Sequence, residues 1–415
     1  MIKISAPKNK TISGVLEIPA SKSISNRCLI IQAIAQEPIT LENLSISDDT
    51  KVLQKALSLI KNNTSTNTKT IDIGIAGTAF RFLTAFLSIQ KGSYILTGHQ
   101  RIKERPIKPL VDALNLLGAD IEYIEKEGFA PLLIKGKELI NNKQIEIDSS
   151  VSSQFITALL LIAPTIKNGL NLKLKGEISS LPYITMTLSL LNHFGVESSF
   201  RENLIRIKAQ IYKTNKHFIE ADWSSASYFY QALALAEKGT LKLINFSKNS
   251  IQGDSELQYI FKKFGVETIF KNNSIELRKT KEITPFFEFN FSKQPDLAQT
   301  IISLCVALNI EAKLTGLQSL IIKETDRISA LNNEIKKLSW ELSSTNNKEY
   351  LLTKNNKNTF ENELIFETYN DHRMAMCLAP VCMVFGAINI LNEGVVSKSN
   401  PLFWKQIESI GFTIG

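Results

Sequence analysis

Several short segments of this chain concentrate side chains that can hold an anion or move a proton, and each stands directly before an apolar run. Tyr369-Asn370-Asp371-His372-Arg373-Met374 puts a carboxylate, an imidazole and a guanidinium in consecutive positions at the head of a long apolar stretch. A charged helix start abutting a core helix suits acid–base chemistry or anion binding. Ile322-Lys323-Glu324-Thr325-Asp326-Arg327 is as dense. Helical spacing puts Lys323 and Arg327 on one face with Glu324 beside them, and the apolar Leu317 to Ile322 predicts a buried strand ending at the cluster. The plain alternative is a solvated face of ordinary ion pairs. Pro295-Asp296 precedes the apolar Leu297 to Ala307 in the same manner, and Lys398 lies in the last connection before the C-terminal helix.

The first half of the chain repeats the theme with hydroxyls. Ser21-Lys22-Ser23-Ile24-Ser25-Asn26-Arg27 leads into the apolar Cys28 to Ala35. Serines before an apolar run are helix caps first. The same start, dressed with a lysine and an arginine, is also a place where free backbone N–H groups and two cations meet an anion such as phosphate. Ala76-Gly77-Thr78-Ala79-Phe80-Arg81 offers a small turn that a ligand can approach closely. Arg101-Ile102-Lys103-Glu104-Arg105-Pro106 reads either as an exposed basic loop or as an anion clamp, since arginine binds carboxylate and phosphate bidentately. Val151-Ser152-Ser153-Gln154-Phe155 opens the very apolar Ile156 to Ala163, and Ser180-Leu181-Pro182-Tyr183 has a similar look. Such hydroxyls and an amide can bond a phosphate or a polyol.

These starts need elements to position them, and an internal repeat supplies the pattern. An amphipathic helix, a small residue and a short alternating strand recur with Gly118, Gly195, Gly265 and Gly411 at the junction, and two weaker copies place Ser339 and Lys61 there. The period is roughly 70 residues. Leu110, Leu114 and Leu117 share a helical face, Gly118 can take the left-handed turn that ends a helix, and Ala119 to Tyr123 alternates as a half-buried strand does. Six such units predict an α/β (α+β) chain with pseudo-symmetry, whose helix starts could converge on one pole.

Composition narrows the function classes. The 415 residues suit two or three domains, with 44% apolar and 21% charged residues as in globular proteins. Cys28, Cys305, Cys377 and Cys382 are too few for a disulfide framework and form no C-x-x-C pair. No G-x-G-x-x-G, P-loop or H-E-x-x-H motif occurs, so neither a nucleotide fingerprint nor a metal site is expected. The net charge of +8 fits an anionic ligand, nucleic acid or a lysine-rich surface, and Asn/Lys-rich stretches such as Lys61 to Lys69 favour the last. The N-terminus has no apolar signal core, and Met374 to Leu391 is broken by Pro380, Gly386 and Asn389, so a cytoplasmic chain is expected.

Taken together in order, SKSISNR, AGTAFR, RIKERPIKPLVDAL, SVSSQF, SLPYI, DWSSASYF, the Pro295-Asp296 pair, KETDR and YNDHRMAM resemble the enolpyruvyl transferases, in the branch that accepts shikimate 3-phosphate. The resemblance implies two domains of three βαβαββ units each, residues 1–20 plus 221–415 and residues 21–220, with the active site in the cleft between them. It implies transfer of the enolpyruvyl group of phosphoenolpyruvate to the 5-hydroxyl of shikimate 3-phosphate, with release of phosphate through a tetrahedral intermediate. No metal or other cofactor is implied; the partners are the two small substrates, without nucleic acid or membrane, on a monomer. Residue by residue, Lys22 matches a cation shared by both substrates. Ser23, Arg27, Ser152, Ser153, Ser180, Tyr183, Ser319 and Lys323 match shikimate 3-phosphate contacts. Gln154 matches a residue touching both ligands. Gly77, Thr78, Arg105, Arg327, Arg373 and Lys398 match the phosphoenolpyruvate site. Asp296, also at the shikimate 3-phosphate, and Glu324 match the acid–base pair, with Lys22 and His372 assisting.

Three positions depart from the family pattern: Ile75 and Ser319 stand where asparagine is frequent, and Phe82 where proline is. The sister branch acting on UDP-N-acetylglucosamine carries a reactive cysteine before its Arg-Pro, and Gly98 to Pro106 has none. A noncatalytic anion or nucleic-acid binder would interleave aromatics with its cations and would leave Asp296, Glu324 and His372 without a purpose. A degenerate enzyme would not be expected to keep its SKS, KETDR and NDHR blocks intact.

Overall fold

The structure, a computed structural model, describes residues 1–61, 67–150, 152–355 and 363–415. The chain forms two compact units, Met1–Ser21 with Glu220–Gly415, and Lys22–Ile219.

In the unit Lys22–Ile219 the repeat appears as sheets of four strands. Strand Lys69–Asp72, helix Gly77–Ser88, strand Gly92–Thr97, helix Lys108–Leu116 and the strands Asp120–Tyr123 and Leu132–Gly136 follow the order βαβαββ. The first two strands pair in parallel, and Leu132–Gly136 pairs antiparallel with both Gly92–Thr97 and Asp120–Tyr123. Ile145–Asp148, helix Ser153–Ile162, Leu170–Lys175, helix Leu181–His193, Ser198–Arg201 and Leu204–Ile207 repeat the same pairing. The third sheet is reduced. Thr40–Glu42 and Lys216–Phe218 pair in parallel, with helices Lys22–Ile34 and Asp48–Lys61 beside them in sequence. The repeat copy with Lys61 at its junction predicts a strand next; residues 62–66 lie outside the described residues, and Lys69–Asp72 already opens the neighbouring sheet.

Among the described residues, the unit Met1–Ser21 with Glu220–Gly415 holds three four-stranded sheets. Phe286–Asn290, helix Ala298–Leu308, Glu311–Thr315, helix Arg327–Lys336, Trp340–Ser343 and Glu349–Lys354 form one in unbroken order. A second begins with Thr11–Glu17 and is completed, after the chain returns from the other unit, by helix Trp223–Leu235, Lys238–Ile244, helix Leu257–Lys262, Phe264–Lys271 and Ser274–Ile283. The third runs Leu364–Phe366, helix His372–Leu378, Ile388–Ile390, helix Phe403–Ser409 and Thr413–Ile414, and its last place is taken by the N-terminal strand Ile2–Ser5. One repeat is therefore closed by the two ends of the chain.

The junction residues behave as the pattern predicts. Gly118, Gly195, Gly265 and Gly411 have φ of 93°, 80°, 72° and 108°, and Ser339 takes the same left-handed turn at 62°. Only glycine enters that region without steric cost, so the serine marks how firmly the repeat imposes the turn.

Each core is built around helices that are buried on nearly every side, as an element surrounded by others is. Ser153–Ile162 packs against both Gly77–Ser88 and Leu181–His193. In the other unit Trp223–Leu235, Ala298–Leu308 and His372–Leu378 contact one another. Gln231 ties these three together inside the core: its Nε2 donates to Ser303 Oγ at 3.0 Å and to the Cys377 carbonyl at 2.9 Å. Two such buried donor bonds fix the helix register that apolar contacts alone leave loose.

Candidate active site

In the unit Met1–Ser21 with Glu220–Gly415, the charged motifs at three helix starts meet in one buried network. Asp371 caps helix His372–Leu378 by accepting from the Arg373 backbone N–H at 2.9 Å. The same carboxylate takes Arg327 Nε at 2.6 Å, with both side chains almost fully buried. Arg327 spreads its remaining donors over two further carboxylates, Asp296 at 3.0 Å and Glu324 at 2.9 Å. Asp296 is gripped on its other oxygen by Arg373 Nη2 at 3.0 Å, and Glu324 on its other oxygen by Lys398 Nζ at 3.2 Å. Lys323 Nζ approaches Asp296 at 3.7 Å. Arg373 Nη1 also donates to the Asp296 carbonyl at 3.2 Å and to Tyr228 Oη at 3.3 Å.

The electrostatics follow from burial. Burial lowers the Lys323 ammonium, an effect Asp296 opposes. Arg327 is held above the ordinary arginine range: burial disfavours its charge, and Asp371, Glu324 and Asp296 together more than offset it. Such an arrangement keeps cations charged in a site shielded from water, where each interaction counts for more. The guanidinium and ammonium groups of Lys323, Arg327, Arg373 and Lys398 face the carboxylates of Asp296, Glu324 and Asp371, so an arriving anion complements the excess cation.

Two local expectations are corrected. Lys323 and Arg327 do not share a helix face. Asp326 caps the helix by accepting from the Ile328 and Ser329 N–H groups, both at 3.1 Å, so the helix begins only at Arg327 and Lys323 and Glu324 lie in the irregular turn before it. No buried strand ends at the cluster either. The strand stops at Thr315, a single turn Gln318–Leu320 carries the half-buried Ser319, and Ile321 and Ile322 are 40% and 39% exposed. Glu324 reaches Arg327 from this turn, three residues before it.

The unit Lys22–Ile219 assembles its own set. Arg27, on the second turn of helix Lys22–Ile34, reaches the second turns of two other helices: Nε donates to Thr187 Oγ1 at 2.9 Å and Nη2 to Thr157 Oγ1 at 3.3 Å. It also donates to the Ser23 and Tyr183 carbonyls at 2.8 and 3.3 Å, and its guanidinium lies over the rings of Phe82 and Tyr183. One side chain thus holds the starts of four helices level. Burial lowers the Arg27 pKa to about 10. Lys22 pairs with Asp49 at 3.1 Å. Ser152 caps helix Ser153–Ile162 through the Gln154 N–H, and Gln154 Nε2 donates to Thr78 Oγ1 at 3.4 Å, joining two of the expected site residues. Ser180 sits at the start of its helix with φ 57°, and Ser153 beside Gln154 is buried.

Gly77 is required by a neighbour. A Cβ there would come within 2.2 Å of Arg105 Nη1, so the bare backbone at this helix start is the seat of the Arg105 guanidinium. The basic stretch before it divides: Gln100–Lys103 is a short helix with Arg101 partly exposed, whereas Arg105 is buried.

Sequence reading assigned no role to several groups that the structure brings in. Asp371 was visible in its motif, and its use as cap and arginine partner needs the fold. Tyr228 lies in DWSSASYF with only a core signature. Asp254 is fully buried at Gly253–Glu256, accepts from Ser224 Oγ, and is raised to about 7, by burial first and the Asp296 charge second. Its Gly-Asp-Ser-Glu setting reads as an ordinary turn. Ser224 and Tyr228 are one helical turn apart, so one face of helix Trp223–Leu235 serves both Asp254 and Arg373.

The family model for EPSP synthase (3-phosphoshikimate 1-carboxyvinyltransferase) matches residues 7–407. The chain belongs to the EPSP synthase family. Relatives bearing the name 3-phosphoshikimate 1-carboxyvinyltransferase include one from Bacteroides fragilis (strain YCH46), 43% identical over 413 residues, 99% of this chain and 98% of the relative. Another, from Haemophilus influenzae (strain Rd), is 34% identical over 436 residues and covers 99% of each chain. The solved EPSP synthase of Acinetobacter baumannii superposes with a TM-score of 0.77 at 20% identity, over 100% of this chain and 99% of that one, which extends the likeness to the EPSP synthase fold.

Proposed function

We propose that this chain transfers the enolpyruvyl group of phosphoenolpyruvate to the 5-hydroxyl of shikimate 3-phosphate and releases phosphate, a step of aromatic amino-acid biosynthesis. Family membership supports the reaction. The buried network around Asp296, Glu324, Arg327, Arg373 and Lys398 carries its assignment to residues, because it supplies what the chemistry demands: cations for a phosphate and a carboxylate, and two carboxylates for proton transfer. Arg327, Arg373, Lys398 and Arg105 clamp phosphoenolpyruvate, with Gly77 and Thr78 lining its site. Asp296 and Glu324 exchange the protons of the acceptor hydroxyl and the methylene carbon, assisted by Lys22 and His372. Ser23, Arg27, Ser152, Ser153, Gln154, Ser180, Tyr183, Ser319 and Lys323 receive shikimate 3-phosphate.

No described helix is long and apolar enough to cross a membrane, and the four cysteines are free and buried. Free thiols suit a reducing compartment, which supports the reading of a cytoplasmic enzyme; that reading includes a monomer working on two small molecules without nucleic acid. Light scattering on the purified chain checks the monomer.

The deciding assay is phosphate release from phosphoenolpyruvate with either shikimate 3-phosphate or UDP-N-acetylglucosamine as acceptor. Release with shikimate 3-phosphate alone is expected; release with the sugar nucleotide alone would transfer the chain to the sister reaction. Glu324→Gln is expected to lower kcat by about 10²-fold or more while the affinity for shikimate 3-phosphate stays within a few-fold. An unchanged kcat would remove Glu324 from the acid–base pair.

A further inference from the structure

Arg27 differs from Arg327 and Lys22 in the company it keeps. Arg327 has three carboxylates and Lys22 has Asp49. The hydrogen-bond partners of Arg27 are two hydroxyls and two carbonyls, all neutral, and the residue is 3% exposed. A buried charge without a counter-charge is costly unless something else stabilises it. Two aromatic faces are placed to do so: the guanidinium carbon is 5.6 Å from the centroid of Phe82 and 5.7 Å from that of Tyr183. Both lie within the range where a ring quadrupole attracts a cation. Phe82 is 1% exposed, projects from helix Gly77–Ser88, and stands where the family frequently has proline, a residue with no such face.

We propose that Phe82 is a positioning residue for shikimate 3-phosphate, its ring supporting the Arg27 guanidinium in place of a counter-carboxylate. A carboxylate at this position would hold Arg27 equally well but would neutralise it. A ring holds the cation and leaves its charge available to an anionic, polyhydroxylated ligand. Of the five N–H groups of a guanidinium, four of Arg27's are engaged among the described residues, and the second hydrogen of Nη1 remains for that ligand. Burial has already drawn Arg27 down to about 10, so loss of the ring weakens a cation with little to spare.

The inference rests on the reading of Arg27 as a shikimate 3-phosphate contact, and the test separates the two. Shikimate 3-phosphate is titrated calorimetrically into the full chain carrying Arg27→Lys, Phe82→Leu, or pentafluorophenylalanine at position 82. The fluorinated ring keeps shape and apolarity but reverses the quadrupole. From the usual strength of a cation–π contact, affinity is expected to fall about two- to thirtyfold in both Phe82 variants, with the KM for phosphoenolpyruvate unchanged. The alkaline loss of shikimate 3-phosphate affinity is expected at a lower pH than in the natural chain. Wild-type affinity in the fluorinated protein, with or without loss in Phe82→Leu, overturns the proposal, since packing alone would then account for Phe82. Undiminished affinity in Arg27→Lys overturns the underlying reading of Arg27 instead.

Discussion

Asp254 has a buried carboxyl group that keeps its proton to about pH 7, chiefly because burial disfavours the anion and also because the Asp296 charge repels it. The native state therefore binds this proton more tightly than the unfolded chain, whose aspartate titrates near the usual 3.8. The resulting stabilisation is complete below about pH 4 and is lost as pH rises through about 7. Asp254→Asn imitates the protonated form at every pH. Relative to the natural chain it is expected to gain stability between pH 4 and 8, on the order of a few kcal/mol at about 1.4 kcal/mol per unit of displacement. Urea denaturation at several pH values measures this, and a difference independent of pH would contradict it. Gly77 poses a geometric question. The Cβ of Gly77→Ala meets the far end of Arg105, a flexible group that can move aside. Folding stability is thus expected to change by less than about 1 kcal/mol. The displaced guanidinium is expected to raise the KM for phosphoenolpyruvate by on the order of tenfold to a hundredfold. A lower melting temperature with an unchanged KM would place Arg105 outside the binding site.

Between residue and domain, helix caps decide where the charged motifs point, and here the sequence was only partly legible. The composition of KETDR marked it as a site, but its helical spacing was misleading. Asp326 starts the helix at Arg327, and that start turns Arg327 inward while leaving Lys323 and Glu324 on the preceding turn. A capping aspartate inside a run of five polar residues is hard to separate from its neighbours by pattern alone. The helix-glycine-strand repeat was legible because it is local: an apolar face, a left-handed junction and an alternating strand all fall within fifteen residues. Asp254 was not, because its role arises from contact with groups far along the chain. The two capping aspartates also separate by what else they hold. Asp326→Ala loses a cap at a half-exposed helix start, a cost of about 1 kcal/mol. Asp371→Ala loses a cap and leaves Arg327 short of a buried partner, and is expected to cost about 3–5 kcal/mol. Guanidinium denaturation of the two variants side by side checks the ranking, and equal costs would mean that the Arg327–Asp371 pair adds nothing beyond the cap.

At the scale of the molecule, one repeat is completed by joining the first strand to the last. Ile2–Ser5 lies between Ile388–Ile390 and Thr413–Ile414, and Lys3 and Gly415 exchange two backbone hydrogen bonds, at 2.9 and 3.0 Å. In the unit Met1–Ser21 with Glu220–Gly415, the break in this repeat therefore falls between Thr413–Ile414 and Ile2–Ser5. Closing a short loop between adjacent ends costs little entropy, and exposed turns tolerate new termini. A circular permutant with Gly415 joined to Met1 through a short glycine-serine linker and opened between Asn346 and Asn347, in the turn between Trp340–Ser343 and Glu349–Lys354, keeps every strand pairing named here. It is expected to unfold cooperatively within about 2 kcal/mol of the natural chain and to keep its kcat, because no proposed site residue lies near either break. By contrast, deleting Met1–Ser5 removes the central partner of two strands and, with it, the fully buried Ile4 side chain. That deletion is expected to cost several kcal/mol, more than a buried isoleucine alone contributes. A permutant that fails to fold while the deletion is tolerated would show that the N-terminal strand is an appendage and not the sixth element of its repeat.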